Sequence, residues 1–405
     1  MRLTPEGKIT VYSILFYSFW LLVHYVYTVI INPSFLTIIA DQWIFHIRGS
    51  GFISGLIPYI DFSNAGGPII FLFWSAVVCA TDFADSTHYH YSDTFSYAIR
   101  ILFFFFILFS TIMLYRIERR KRPDKAFIVA MLYGFNPFFV ILISFWGSDE
   151  LVVPLIFLLP FYLYYRKNNT LATLSILLGT AIKFWPILLL PIIWIYAKSW
   201  TERIIQTSIF FGTAFAVILP IFLSYPDIFL RQINRPVAKF GDHGYHLLIE
   251  YLTQSNLDSY RMLFTLITVS LLGLVGLYLF LTRKSWDYYR ASTLCFVYLL
   301  TFQKFQVSYV VMFYPFLIPL VIHGTKWQRW YIIVTYIVTL AMGEMVQNIV
   351  YNGLSSFEFF YHLLFYFLAY LLMILLFFML LKPRKEDSLM IQFKALLNSK
   401  RIRTV

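Results

Sequence analysis

The few charged side chains that interrupt the apolar stretches of this chain mark where chemistry can occur. Asp41 opens the run Asp41-Gln42-Trp43 behind an apolar flank, Phe35 to Ala40. A carboxylate so placed is partly desolvated unless it faces water, a cation or a substrate, and it suits a proton acceptor. The competing reading is that it caps a short interfacial helix. Asp61 closes the stretch Gly55-Leu56-Ile57-Pro58-Tyr59-Ile60-Asp61 and is the second candidate acid. Two adjacent acids, Asp149 and Glu150, follow Phe145-Trp146-Gly147-Ser148; they could hold a metal or a sugar, or stabilise the start of the next helix. Lys183 stands between two half-length apolar segments, at Ala181-Ile182-Lys183-Phe184-Trp185-Pro186. A lysine buried there needs an anion, and a lipid phosphate would serve; the alternative is a snorkelling side chain. Lys304 repeats the pattern in Phe302-Gln303-Lys304-Phe305-Gln306, with Tyr309 one turn on.

A further group lies between residues 225 and 260. Arg235 and Lys239 are cationic, and His243 and His246, three apart, either ligate a metal or are ordinary polar surface. Trp43, Trp146, Tyr245 and Tyr309 could stack on sugar rings, although aromatics are expected at any membrane interface.

These residues need a scaffold, and composition defines its class. Of 405 residues 60% are hydrophobic and 13% charged, against about 25% charged in soluble domains, and mean hydropathy is +0.72. That excludes a soluble enzyme, a disordered chain and a disulfide scaffold; the fold class is all-α, a polytopic transmembrane helical bundle. A span needs about 20 apolar residues. Clear candidates are 11–31, 94–116, 126–146, 203–224, 261–282, 330–347 and 359–381. Shorter runs at 151–165, 170–183, 185–197, 289–302 and 306–322 read as half-spans, giving twelve spans. Segment 67–80 reads as an interfacial or re-entrant helix of the first outer loop. Pro137 breaks the helix at 126–146, and Asn136 can satisfy the freed groups.

Charge distribution orients the bundle. With both termini cytoplasmic, 24 of 32 basic residues fall on the inner side and 13 of 20 acidic residues on the outer side. Counting 67–80 as a span would place Arg119-Arg120-Lys121-Arg122 outside, which favours the re-entrant reading. The formal charge of +12 therefore reflects topology and contact with anionic lipid, with no nucleic acid. Cys79 and Cys295 have neither disulfide nor metal spacing and read as small apolar packing residues. Residues 1–382 form one transmembrane domain with long outer loops at 33–93 and 225–260, and 383–405 are a basic amphipathic cytoplasmic tail.

The order Asp41…Gly55-Leu56-Ile57-Pro58-Tyr59-Ile60-Asp61, then Asn136-Pro137 with Gly147-Ser148-Asp149, then Lys183-Phe184-Trp185-Pro186-Ile187-Leu188-Leu189-Leu190-Pro191 resembles the GT-C class of polyprenol-phosphate-sugar-dependent glycosyltransferases. It is most similar to their mannosyltransferase branches, including the GPI mannosyltransferase I type, over roughly residues 1–320. The resemblance implies a polyprenyl- or dolichyl-phosphate sugar donor, a glycan or lipid-linked acceptor, and catalysis on the outer or lumenal face. The membrane would be the plasma membrane of a prokaryote or the endoplasmic reticulum of a eukaryote. It places the catalytic base on Asp41, with Asp61 next. The chain departs from members that carry a paired Asp-x-Asp or Glu-x-Asp in the first loop, so a divalent metal stays open and no other cofactor is implied. The chemistry agrees: a lipid phosphate leaves without a general acid and needs only cations, while the acceptor hydroxyl needs one base. Lys183, Arg235, Lys239 and Lys304 are the candidate phosphate contacts; Asp149, Glu150, Trp43, Tyr245, His243 and Tyr309 are candidates for binding substrate. The rival class is a twelve-span secondary transporter, which would gather its ionisable groups near the bilayer midplane.

Overall fold

The computed structural model describes residues 3–31, 40–56, 69–81, 92–140, 142–143, 152–183, 185–224, 261–281 and 314–326, with short pieces among 292–378. Every regular element among them is helical. The chain divides into two compact units, residues 1–190 with 199–232, and 191–198 with 233–405.

The first unit is built on two antiparallel helices, α1 (Pro5–Tyr25) and α4 (Asp93–Lys121). Both starts are encoded locally. Thr4 caps α1 by accepting from the Gly7 amide at 3.1 Å, with Pro5 in the first turn, where its missing N–H costs nothing. Ser92 caps α4 through the Phe95 amide at 3.0 Å, with Asp93 beside it. The pairing register is plain from three levels. Glu6 meets Arg116 at one end, Tyr17 meets Phe104 midway at 5.3 Å, and His24 meets Arg100 at the other end. Beyond Tyr25, α1 continues as one π turn, Val26–Ile31.

Helix α2 (Ala40–Ile53) and α3 (Ile69–Thr81) pack together, and α3 also packs on α4. The Phe45 and Trp74 rings stack at 4.2 Å in the α2–α3 contact. Gly49 allows this approach, since a Cβ there would lie 2.7 Å from the Trp74 carbonyl oxygen. Segment 67–80 was expected to be a short helix, and α3 at 13 residues is one, about 20 Å long, short of the ~30 Å of a bilayer core. Its buried face carries Ile70, Phe71, Trp74, Ser75, Val77 and Val78. Cys79 lies off that stripe and is exposed, so the expectation that it packs as a small apolar residue fails.

The segment expected as one span over 126–146 is interrupted. Helix α5 (Ala126–Gly134) stops, and α6 (Pro137–Val140) restarts after Asn136. Pro137 cannot donate, and Asn136 Oδ1 accepts from the Phe138 amide at 3.0 Å, capping the restart as its sequence suggests. Helices α7 (Val153–Tyr165) and α8 (Asn169–Ile182) form a tight hairpin with the half-span lengths expected. A 3-10 turn at Trp185–Leu188 leads to α9 (Leu189–Tyr196), and α10 (Trp200–Ser224) packs on α8.

In the second unit the described helices include α11 (Arg261–Leu281) and α12 (Tyr314–His323), with Trp194 against Phe280 at 5.8 Å. Among the described residues one helix, α4 with 29 residues, is long and apolar enough to cross a membrane.

Candidate functional site

A buried polar group of five side chains lies where α1, α2 and α4 meet. Gln42 and His46 are four residues apart on α2, and Ser96 and Arg100 four apart on α4, so each pair occupies one face of its helix. His24 comes from the last turn of α1. All five side chains are almost wholly buried, Arg100 at 0% exposure.

Their bonds follow from donor and acceptor capacity. Ser96 Oγ donates to Gln42 Oε1 at 2.7 Å and accepts from Arg100 Nη1. The same nitrogen reaches the Ser96 carbonyl at 3.0 Å and Gln42 Oε1 at 3.4 Å. Arg100 Nη2 lies 3.4 Å from His24 Nε2; a guanidinium only donates, so this ring nitrogen accepts. The guanidinium carbon sits 5.7 Å from the centre of the Tyr97 ring, and the His46 ring meets Phe95 edge-on at 5.0 Å. Burying a guanidinium is costly unless its donors are used, and both terminal nitrogens of Arg100 find acceptors in this network. It also fixes the N-terminal turn of α2 to α4.

Asp41 occupies that turn, one residue before Gln42. It sits inside the helix rather than ahead of it, where the positive end of the helix dipole favours a carboxylate. Its side chain lies outside the described residues. Trp43, on the same helix, is 44% exposed.

Lys183 is the one of the four candidate phosphate contacts that lies among the described residues. It ends α8 in an extended conformation, φ −148° and ψ 131°, with its amide bonded to the Gly179 carbonyl at 2.8 Å. Pro186 folds back until its ring is 3.1 Å from where a Gly179 Cβ would stand, so the break after Lys183 is a packed turn. The two positions share a neighbour: α3 packs against α2, which carries Asp41, and against α8, which ends at Lys183.

The remaining expected residues, Asp61, Asp149, Glu150, Arg235, Lys239, His243, Tyr245, Lys304 and Tyr309, lie outside the described residues. Arg100, inside the span expected over 94–116, is buried, and with His24, Gln42 and His46 it makes a polar group that no local motif announces. The usable signal was the repeated four-residue spacing of polar side chains inside apolar helices. Among the described residues no group of three or more His, Cys, Asp or Glu side chains is placed to hold a metal ion. No protein-family model matches the chain, and no curated protein matches it in sequence.

Proposed function

We propose that the chain is a polytopic membrane glycosyltransferase of about twelve spans, with both termini cytoplasmic. It transfers a hexose, mannose favoured, from a polyprenyl-phosphate donor to an acceptor on the outer or lumenal face. In this reading Asp41 takes the proton of the acceptor hydroxyl as that oxygen bonds to the anomeric carbon. The carbon–oxygen bond to the lipid phosphate breaks, and the polyprenyl phosphate leaves with the electron pair. Attack opposite the leaving group inverts the centre. Cations stabilise the charge that develops on the phosphate, with Lys183 the described candidate and Arg235, Lys239 and Lys304 the others.

The observation that carries the reading is the buried Arg100–Ser96–Gln42–His24 network tied to the turn that holds Asp41. A general base must be held within a fraction of an ångström of its working position, and a buried network of this kind does that. Arg100 is then a positioning residue.

The test is transfer from polyprenyl-phosphate-mannose in proteoliposomes. Asp41→Asn is expected to abolish covalent transfer, and Arg100→Lys to lower kcat with little change in KM for the donor. Full activity of Asp41→Asn removes the assignment of the base. Substrate flux without any covalent product would establish the rival class, a secondary transporter.

A further inference from the structure

The opposite end of α4 carries a second concentration of charge that glycosyl transfer does not use. Residues Arg116 to Lys125 hold six cations, and the turn after α7 adds Arg166 and Lys167. Packing of α4 on α7 brings these into one band. Arg120 Nη1 donates to the Tyr165 carbonyl at 3.0 Å, and Lys121 Nζ lies 5.1 Å over the Tyr165 ring. The Arg166 guanidinium lies 5.5 Å over the Tyr162 ring. Arg116 is answered by Glu6, through two bonds of 3.1 Å. Arg119, Arg120, Arg166 and Lys167 remain exposed at the same end.

Cations near helix C-termini are expected from the helix dipole alone, so charge by itself decides nothing. The backbone at Lys167 adds an independent observation. Its amide bonds the Tyr164 carbonyl at 2.8 Å and the Asn168 amide bonds the Leu163 carbonyl at 3.1 Å, a Schellman ending of α7. Lys167 occupies the left-handed position of that motif, φ 61°, where glycine is the default. It is the only non-glycine with positive φ among the described residues. A lysine there costs about 1 kcal/mol relative to glycine, and what it adds over glycine is an ammonium directed from a rigid hairpin.

We propose that the cationic band formed by Arg119, Arg120, Arg166 and Lys167 is a binding site for the phosphate of an anionic glycerophospholipid. The tyrosines Tyr162 and Tyr165, ring and hydroxyl, are the side chains expected at a headgroup level, and clustered cations between helices suit lipid phosphate. The inference rests on the membrane reading of the helices and is independent of any sugar transfer.

The full-length protein in neutral detergent, titrated with phosphatidylglycerol or phosphatidylcholine and read by native mass spectrometry, tests it. Wild type is expected to retain phosphatidylglycerol in preference to phosphatidylcholine. Lys167→Gly relaxes the backbone while removing the charge, so folding is not at stake; it should weaken phosphatidylglycerol binding about fivefold. Adding Arg119→Gln should weaken it about fivefold more, while Lys326→Gln with Arg329→Gln leaves it unchanged. Equal retention of both lipids overturns the site, as does an unaltered affinity in Lys167→Gly with Arg119→Gln, or equal weakening by the control pair. Full displacement of phosphatidylglycerol by millimolar inorganic phosphate would reassign the band to a soluble anion and overturn the lipid.

Discussion

Gly49→Ala is the sharpest probe of how α2 is held. The new Cβ would stand 2.7 Å from both the Trp74 carbonyl oxygen and Val78 Cγ2, where ordinary contact begins near 3.4 Å. The carbonyl belongs to the backbone of α3 and cannot rotate away, so the two helices must part by about 0.7 Å at this point. Overpacking of this kind costs about 1–3 kcal/mol. The single Ser75 hydroxyl proton goes to the Phe71 carbonyl at 2.7 Å, so loss of its longer 3.3 Å contact with the Gly49 carbonyl adds little. Alanine returns up to about 1 kcal/mol of helix propensity, leaving a net destabilisation of about 1–2 kcal/mol. Thermal unfolding in detergent should show Tm a few degrees lower. Gly212→Ala, on α10 at an exposed position with no atom within 4 Å of the new Cβ, is the control and should be neutral or slightly stabilising. The first turn of α2 carries Asp41 and Gln42, so under the proposed transfer reading Gly49→Ala should also lower kcat. Equal Tm for Gly49→Ala and Gly212→Ala would refute the claim that glycine sets the α2–α3 distance.

Two other expectations concern the ends and breaks of helices. Hydrogen bonds from Arg116, and then the charges of Arg116 and Arg119, hold the Glu6 carboxyl below its ordinary 4.5 against partial burial. A depressed carboxyl stabilises above the unfolded pKa and loses that contribution as pH falls through the folded one. Wild type should therefore lose stability relative to Glu6→Gln on acidification below about pH 4.5 and gain none above it, read as the difference in Tm across a pH series. Asn136→Ala leaves the Phe138 amide without its side-chain acceptor and should cost about 1 kcal/mol in the same assay.

The local elements were legible because each rests on local signals. The apolar runs 151–165 and 170–183 became α7 (Val153–Tyr165) and α8 (Asn169–Ile182), and Asn136-Pro137 and Lys183 with Pro186 broke helices where proline demands it. A short helix at Asp41 is legible as the alternative to a functional carboxylate there, although Asp41 lies inside α2 rather than capping it. The network around Arg100 was not legible. Its members come from three helices, His24 and Arg100 being 76 positions apart and Gln42 and Ser96 54 apart. Arg100 lies inside the run expected as a span over 94–116, and hydropathy does not encode that its guanidinium turns inward to Gln42 and His24 on two other helices. The π turn after Tyr25 likewise has no composition signal, since Val26, Tyr27, Thr28, Val29, Ile30 and Ile31 suit any apolar helix.

The register between α1 and α4 has a mechanical consequence. Arg100 and Arg116 are 16 positions apart, about 24 Å along the axis, and each clasps the other helix, through His24 above and Glu6 below. Sliding one helix past its mate by a single turn would unfasten both clasps at once and strip a buried guanidinium of its His24 acceptor. The pair behaves as a stator. Any movement within the first unit must then be borne by the shorter helices packed on this pair.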